Sequence, residues 1–183
     1  MSEESINGWA EVDNKEFDVI RDHEKSELAK DQLRTAIWLF LNCIDFASAI
    51  TLAGAAGNIF HALVKYQNKE PVLEHTRLLC DKLIGHTPSR QKYLKHFGDL
   101  AGINPLKHMR LTCPDTIKID LENAAKMAIT RAVLDFIKLY GDEEAKKNEC
   151  VNAFMQWLWD SHDRKRIMEE YEALPEELKR KWE

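Results

Sequence analysis

From Leu33 to Ile44 the apolar positions 33, 36, 37, 40, 41 and 44 repeat with the helical period, and Trp38 and Leu39 make the remaining face apolar too. This pattern predicts a central helix, with Ser26 or Asp31 as its cap. Asp45 is placed to cap a second helix, in which Phe46, Ala49, Ile50, Ala53, Ala56, Phe60, Leu63 and Val64 keep the same rhythm. Its middle, "ASAITLAGAAG", is built of small residues. Each glycine inside a helix costs roughly 1 kcal/mol relative to alanine, so a tight packing contact or a kink is expected there.

Pro71 begins a third predicted helix that stops before Gly85, and Thr87-Pro88 begins a fourth that reaches about Phe97. Asn104-Pro105 repeats the start signal once more, with Asn104 as N-cap. "TCPDTIKID" then breaks the pattern, and its Thr-Ile-Lys-Ile alternation predicts a short extended piece before Asp120 caps a long helix. Leu121, Ala125, Ala128, Ile129, Ala132 and Phe136 give that helix a continuous apolar face that ends at Gly141. Asp142, Glu143 and Glu144 start another helix, with Val151, Phe154, Met155 and Leu158 as its stripe. The expected fold is all-α, a compact bundle of five to seven helices: an acidic arm over 1–30, the bundle core over 31–160 and an amphipathic helical tail over 161–183.

Composition supports a folded chain, because 44% hydrophobic residues supply enough burial to offset ordering entropy. Thr35 to Phe60 carries a single charge, Asp45. Asn42 and Asp45 interrupt that run near its middle, so a buried helical hairpin is expected rather than a membrane span. The four cysteines, Cys43, Cys80, Cys113 and Cys150, form no close pairs of the kind zinc sites start from and read as reduced thiols. With an acidic, polar start in place of an apolar leader, the chain is expected in the cytoplasm, and no membrane partner is expected.

Charge changes the picture more. Residues 1–31 hold ten acids against four bases, whereas Lys82 to Arg110 holds six bases (Lys82, Arg90, Lys92, Lys95, Lys107, Arg110) against Asp99 alone. A basic island in a protein of net charge −5 suits phosphates, nucleotides or RNA, with binding that weakens as salt rises. The competing reading is a solvated helix pair whose bases meet the acidic arm or tail. Within the island Asn104, Lys107 and His108 fall within one helical turn, so a proton carrier, a cation and an amide share one face. Arg90 and His96 form a second candidate pair, although six residues on an unbroken helix place them about 120° apart. Lys92 and Lys95 join Asn104 and Lys107 as phosphate-binding candidates, and Arg90, His96 and His108 stand as catalytic candidates. Tyr93 and Phe97 are placed to stack a base, or to pack in the core. There is no Gly-rich phosphate loop, and Glu74, His75, Cys80 and Asp81 match no metal spacing, so neither metal nor cofactor is expected.

"LRTAIWLFLNCIDFASAITLAGAAGNIF" and the downstream Asn104-Pro105-Leu106-Lys107-His108 resemble small bacterial all-helical proteins with an Asn-x-x-Lys-His element. Their general shape is similar to the HEPN superfamily (higher eukaryote and prokaryote nucleotide-binding domains), over about residues 30 to 140. That resemblance implies a dimeric nucleotide binder or a metal-independent ribonuclease. The arginine-to-histidine motif of HEPN ribonucleases matches the gap between Arg90 and His96, though it lies earlier in the bundle than the family pattern expects, and no arginine precedes Asn104. A homo-oligomer with an RNA- or nucleotide-facing surface at Lys82–Arg110 is therefore expected. The alternative is a non-enzymatic helical interaction or oligomerisation module that binds another protein.

Overall fold

Apolar stripes on three long helices set the architecture. In a computed structural model that describes residues 21–107, 116–161 and 169–174, these are α1 (Lys25–Leu41), α2 (Phe46–Tyr66) and α6 (Leu121–Tyr140). Leu33, Ala36, Ile37 and Phe40 of α1 are buried against α2, whose Ala49, Ile50, Ala53, Ala56, Phe60 and Val64 are fully covered. The opposite flank of α2 packs on Ala125, Ala128, Ile129, Ala132 and Phe136 of α6. Phe60 and Phe136 meet edge to face at 5.8 Å between ring centroids. By length and composition α2 would suffice to cross a membrane; here it is the middle helix of the core.

Local signals start and stop these helices as the sequence predicts. Asp45 accepts from the Ser48 amide to cap α2, and Asp120 accepts from the Asn123 amide to cap α6. Gly141, at φ 88, ends α6. The start of α1 differs: the helix begins at Lys25, so Ser26 and Asp31 lie inside it and the last residues of the expected arm form its first turn and a half. Ala29 is already in the core, and that burial fixes the helix start upstream of either proposed cap.

Between α2 and α6 the chain makes an excursion of three helices, α3 (Val72–Ile84), α4 (Arg90–Leu100) and α5 (Ile103–Lys107). Beyond α6 come α7 (Asp142–Lys147) and α8 (Glu149–Asp160). With a short helical segment over 169–172, the described residues thus hold nine helices, against an expected five to seven, with no strand. The extra elements have local causes. Asn148 accepts from the Val151 amide and starts α8 afresh, and α5 is a single turn behind Gly102 at φ 70. Residues 116–119, expected to be extended, carry no regular structure. Trp157 and Phe154 of α8 close the bundle around Phe40 of α1, at centroid distances of 4.8 and 5.8 Å.

The small-residue stripe of α2 is core, and its two glycines admit neighbours from the excursion and from α6. A Cβ on Gly54 would stand 3.0 Å from the Ile103 side chain, and one on Gly57 would stand 3.1 Å from Arg131 Nη1. These approaches offset the helix-propensity cost of glycine.

Candidate functional site

The excursion concentrates the basic residues, and its ion pairs divide them. Glu74 of α3 accepts from Arg90 Nε and Nη2 at 2.8 and 3.1 Å, and from Arg77 Nη2 and Nε at 2.6 and 3.3 Å. Arg77 Nη1 also donates to the Pro88 carbonyl at 2.9 Å, which fixes the α3–α4 connection. Two guanidinium groups on one carboxylate hold Glu74 far down, at about 2, through the Arg90 hydrogen bonds first and those of Arg77 next. The seam keeps a net positive charge because one acid faces two bases.

On α4, Lys95 donates to Asp99 at 2.8 Å. Lys95 lies two positions from both Tyr93 and Phe97, so it projects about 160–200° from them on a regular helix. Lys92 and His96 are exposed and one turn apart, on a common flank. Arg90 and His96 are not brought to one site, since Arg90 turns to Glu74 while α4 runs unbroken to Leu100. Lys107 is exposed on α5; His108, together with Arg110 and Cys113, lies outside the described residues.

Asn104 departs from its expected place. It is the second residue of α5, not its N-cap, and its amide nitrogen donates to Asp99 Oδ1 at 2.9 Å and to the Lys95 carbonyl at 3.3 Å. This clamp of α5 on α4 is possible because position 98 is glycine: a Cβ there would meet Asn104 Nδ2 at 2.6 Å. The expected cap fails because Gly102, whose carbonyl accepts from the Leu106 amide, already begins the turn.

A second polar group lies deeper, on helix faces that otherwise read as core. Arg131 of α6 is 5% exposed and Asp135, one turn on, is 0% exposed. Arg131 Nη1 donates to Asn58 Oδ1 at 3.0 Å, while its Nε stands 3.9 Å from Asp135 Oδ2, too far for a hydrogen bond. Asp135 Oδ1 accepts from the Val72 amide, and Oδ2 lies 4.0 Å from His61 Nδ1. His61 Nδ1, Arg131 Nε and Asp135 Oδ2 are buried without a hydrogen-bond partner. Burial is the main influence on each: it raises the Asp135 carboxyl, lowers the Arg131 guanidinium and, aided by the charges of Arg131 and Lys65, lowers His61 to about 4. His61 is therefore a neutral imidazole at neutral pH.

Arg131 also lines a cleft of about 490 Å³ between α3, α4 and α6, where Tyr93, Phe97, Met127 and Leu134 supply apolar walls. Tyr93 and Phe97 thus face a cleft, which the i, i+4 spacing alone leaves indistinguishable from core packing. No cluster of three or more His, Cys, Asp or Glu side chains able to hold a metal occurs among the described residues.

Sequence reasoning missed Asn58, His61, Arg131 and Asp135. The available signal was register: Arg131 and Asp135 are i, i+4 within the stripe 125, 128, 132, 136, and His61 follows Gly57 by the same step toward Val64. Comparison of the chain with protein families, with curated proteins and with solved structures found no match.

Proposed function

We propose that the protein binds a phosphate-bearing ligand, a nucleotide or a single-stranded RNA, on the outward face of the α3–α5 excursion. The observation that carries this reading is the segregation of charge. Residues 72–107 hold six bases (Arg77, Lys82, Arg90, Lys92, Lys95, Lys107) against three acids (Glu74, Asp81, Asp99) in a chain of net charge −5. Glu74 and Asp99 are engaged inside the excursion, and Lys82, Lys92, His96 and Lys107 face solvent. Such a surface draws polyanions by counterion release. The HEPN-like resemblance supports the same ligand class. Binding is favoured over cleavage because Arg90, the natural partner of His96 in a ribonuclease motif, is already held by Glu74.

The test is titration of labelled single-stranded RNA, and of a nucleotide, at 50 and 200 mM salt against wild type and the triple variant Lys82→Ala, Lys92→Ala, Lys107→Ala. Three phosphate contacts on a single strand give a log–log salt slope of about −2, so affinity drops roughly 15- to 20-fold over that range. The triple variant loses most of that slope. Absence of binding at the lower salt rejects the proposal.

A second reading, self-association, rests on Trp38 and Ile44, which are 54% and 55% exposed at the α1–α2 turn. Sedimentation of the full chain decides it: a dimer that Trp38→Glu converts to monomer supports the reading, and a wild-type monomer removes it.

A further inference from the structure

We propose that residues 1–20, the part of the acidic arm ahead of the described chain, dock along the α3–α5 excursion and compete there with the polyanion, so that the arm regulates this surface. The inference rests on the polyanion reading above. Charge is its first argument. Residues 1–20 hold six acids against Lys15 alone, whereas residues 72–107 hold six bases against three acids, with Lys82, Lys92, His96 and Lys107 facing solvent. Complementary potentials of this kind select the partner of a face. The tail over 162–183 is no match for it, because its seven acids are offset by six bases.

Shape is the second argument. The cleft of about 490 Å³ has Tyr93, Phe97, Met127 and Leu134 in its walls, and the exposed Lys92 and His96 are the chain neighbours of its two rings. The arm carries the same order in the opposite sign: Glu16 and Asp18 bracket Phe17, and Glu11 and Asp13 follow Trp9. An aromatic anchor in an apolar pocket, with charges paired at the rim, is how protein contacts concentrate their affinity. The Thr76 and Thr130 hydroxyls on the cleft wall already donate to carbonyls of their own helices, so an apolar ring leaves neither donor unmet.

Reach is the third. Lys30 stands over the Tyr140 ring at 4.5 Å, which puts the first turns of α1 beside the end of α6, and Lys69 donates to the Lys138 carbonyl at 2.9 Å, so the chain enters α3 at that same end. From there α3 is about 20 Å long, while twenty extended residues span up to about 66 Å. A short tether also holds its segment at an effective concentration in the millimolar range, so a contact that is weak in trans is well occupied within one chain.

The experiment titrates labelled single-stranded RNA at 50 mM salt against the full chain and three full-length variants. Glu11→Gln, Asp13→Asn, Glu16→Gln and Asp18→Asn together remove four charges from the arm. Trp9→Ala with Phe17→Ala removes its aromatic anchors and keeps every charge. Glu172→Gln, Glu176→Gln, Glu177→Gln and Glu183→Gln together remove four charges from the tail, as a control for net charge. RNA affinity is expected to rise about fivefold to tenfold in the first and about threefold in the second, and clearly less in the third. A synthetic peptide of residues 1–20 should bind the arm-neutralised chain more tightly than wild type, whose face its own arm already occupies, and should bind more weakly at 200 mM salt. An aromatic variant that matches wild type, a tail control that matches the arm variant, or no peptide binding at millimolar concentration overturns the docking. RNA that binds no variant while the peptide still binds rejects the polyanion reading instead, and with it the competitive role of the arm.

Discussion

Asp135 Oδ1 accepts the backbone amide of Val72 at 2.9 Å, so a fully buried carboxylate on α6 caps the first turn of α3 from across the fold. The residue that precedes that turn, Pro71, offers no side-chain cap of its own. One carboxylate thus satisfies an orphan helix donor with one oxygen and stands beside Arg131 and His61 with the other.

Removing it should be costly for that reason. Asp135→Ala leaves the Val72 amide unsatisfied and Arg131 without its nearest counter-charge, a loss of about 3–5 kcal/mol by analogy with broken buried pairs. Asp135→Asn keeps an acceptor for Val72 while discarding the charge, and is expected to cost clearly less. Urea unfolding of the two variants checks the order. Equal losses would mean that the charge near Arg131, and not the cap, sets the cost.

The helices and their stripes were readable because burial imposes a 3.6-residue period on the residues that form the core, from Leu33 through Phe136. The buried polar group was not, because Arg131 and Asp135 at i, i+4 look like a solvated surface pair until the neighbouring helix is known to cover them. Asn104 was misplaced for a related reason. The Asn-Pro start signal is local, whereas its amide is claimed by Asp99 and Lys95 from another helix, through the space that Gly98 leaves. The positive balance of the excursion was legible as composition, but its division into Glu74-bound, Asp99-bound and solvent-facing cations depends on which helices pack together.

The fit between Gly98 and Asn104 predicts a change of sign. In the wild-type background Gly98→Ala places a Cβ 2.6 Å from Asn104 Nδ2, which must shift and lose its bonds to Asp99 and Lys95, at a cost of about 1–3 kcal/mol. In an Asn104→Ala background the obstruction is gone, and the same substitution should stabilise by up to about 1 kcal/mol through helix propensity. A double-mutant cycle by denaturant unfolding measures both terms. A Gly98→Ala cost that persists after Asn104 is removed would show that some other contact limits position 98.

His61 predicts a pH dependence of stability. Its folded-state pKa of about 4 lies below the ordinary 6.5, so between those values the unfolded chain binds more protons and stability rises with pH. The contribution is fully present above pH 6.5 and is lost as pH falls toward 4, with a ceiling of roughly 3 kcal/mol. Asp135, raised by burial, acts in the opposite sense above pH 3.8, because a carboxyl that binds protons in the folded state loses stability as pH rises. The difference between wild type and His61→Gln isolates the histidine. Urea midpoints should converge toward pH 4 and separate toward pH 7, and a pH-independent difference would mean that His61 titrates normally in the fold.

Glu74 supplies a prediction that joins stability to binding. Its carboxylate, held at about 2 by Arg90 and Arg77, contributes stability above pH 4.5 that is lost as pH falls toward 2. Glu74→Gln weakens both bidentate contacts, so the α3–α4 seam loosens and the thermal midpoint drops by a few degrees. The same change raises the charge of the excursion by one and releases Arg77 and Arg90 toward solvent. If the excursion binds phosphates, Glu74→Gln should therefore bind single-stranded RNA more tightly than wild type at low salt, with a salt slope steeper by about 0.7 for each added contact. A generally destabilised variant would bind less tightly or not at all, so a gain in affinity together with a lower midpoint is the combination that separates an electrostatic surface from a merely structural ion pair.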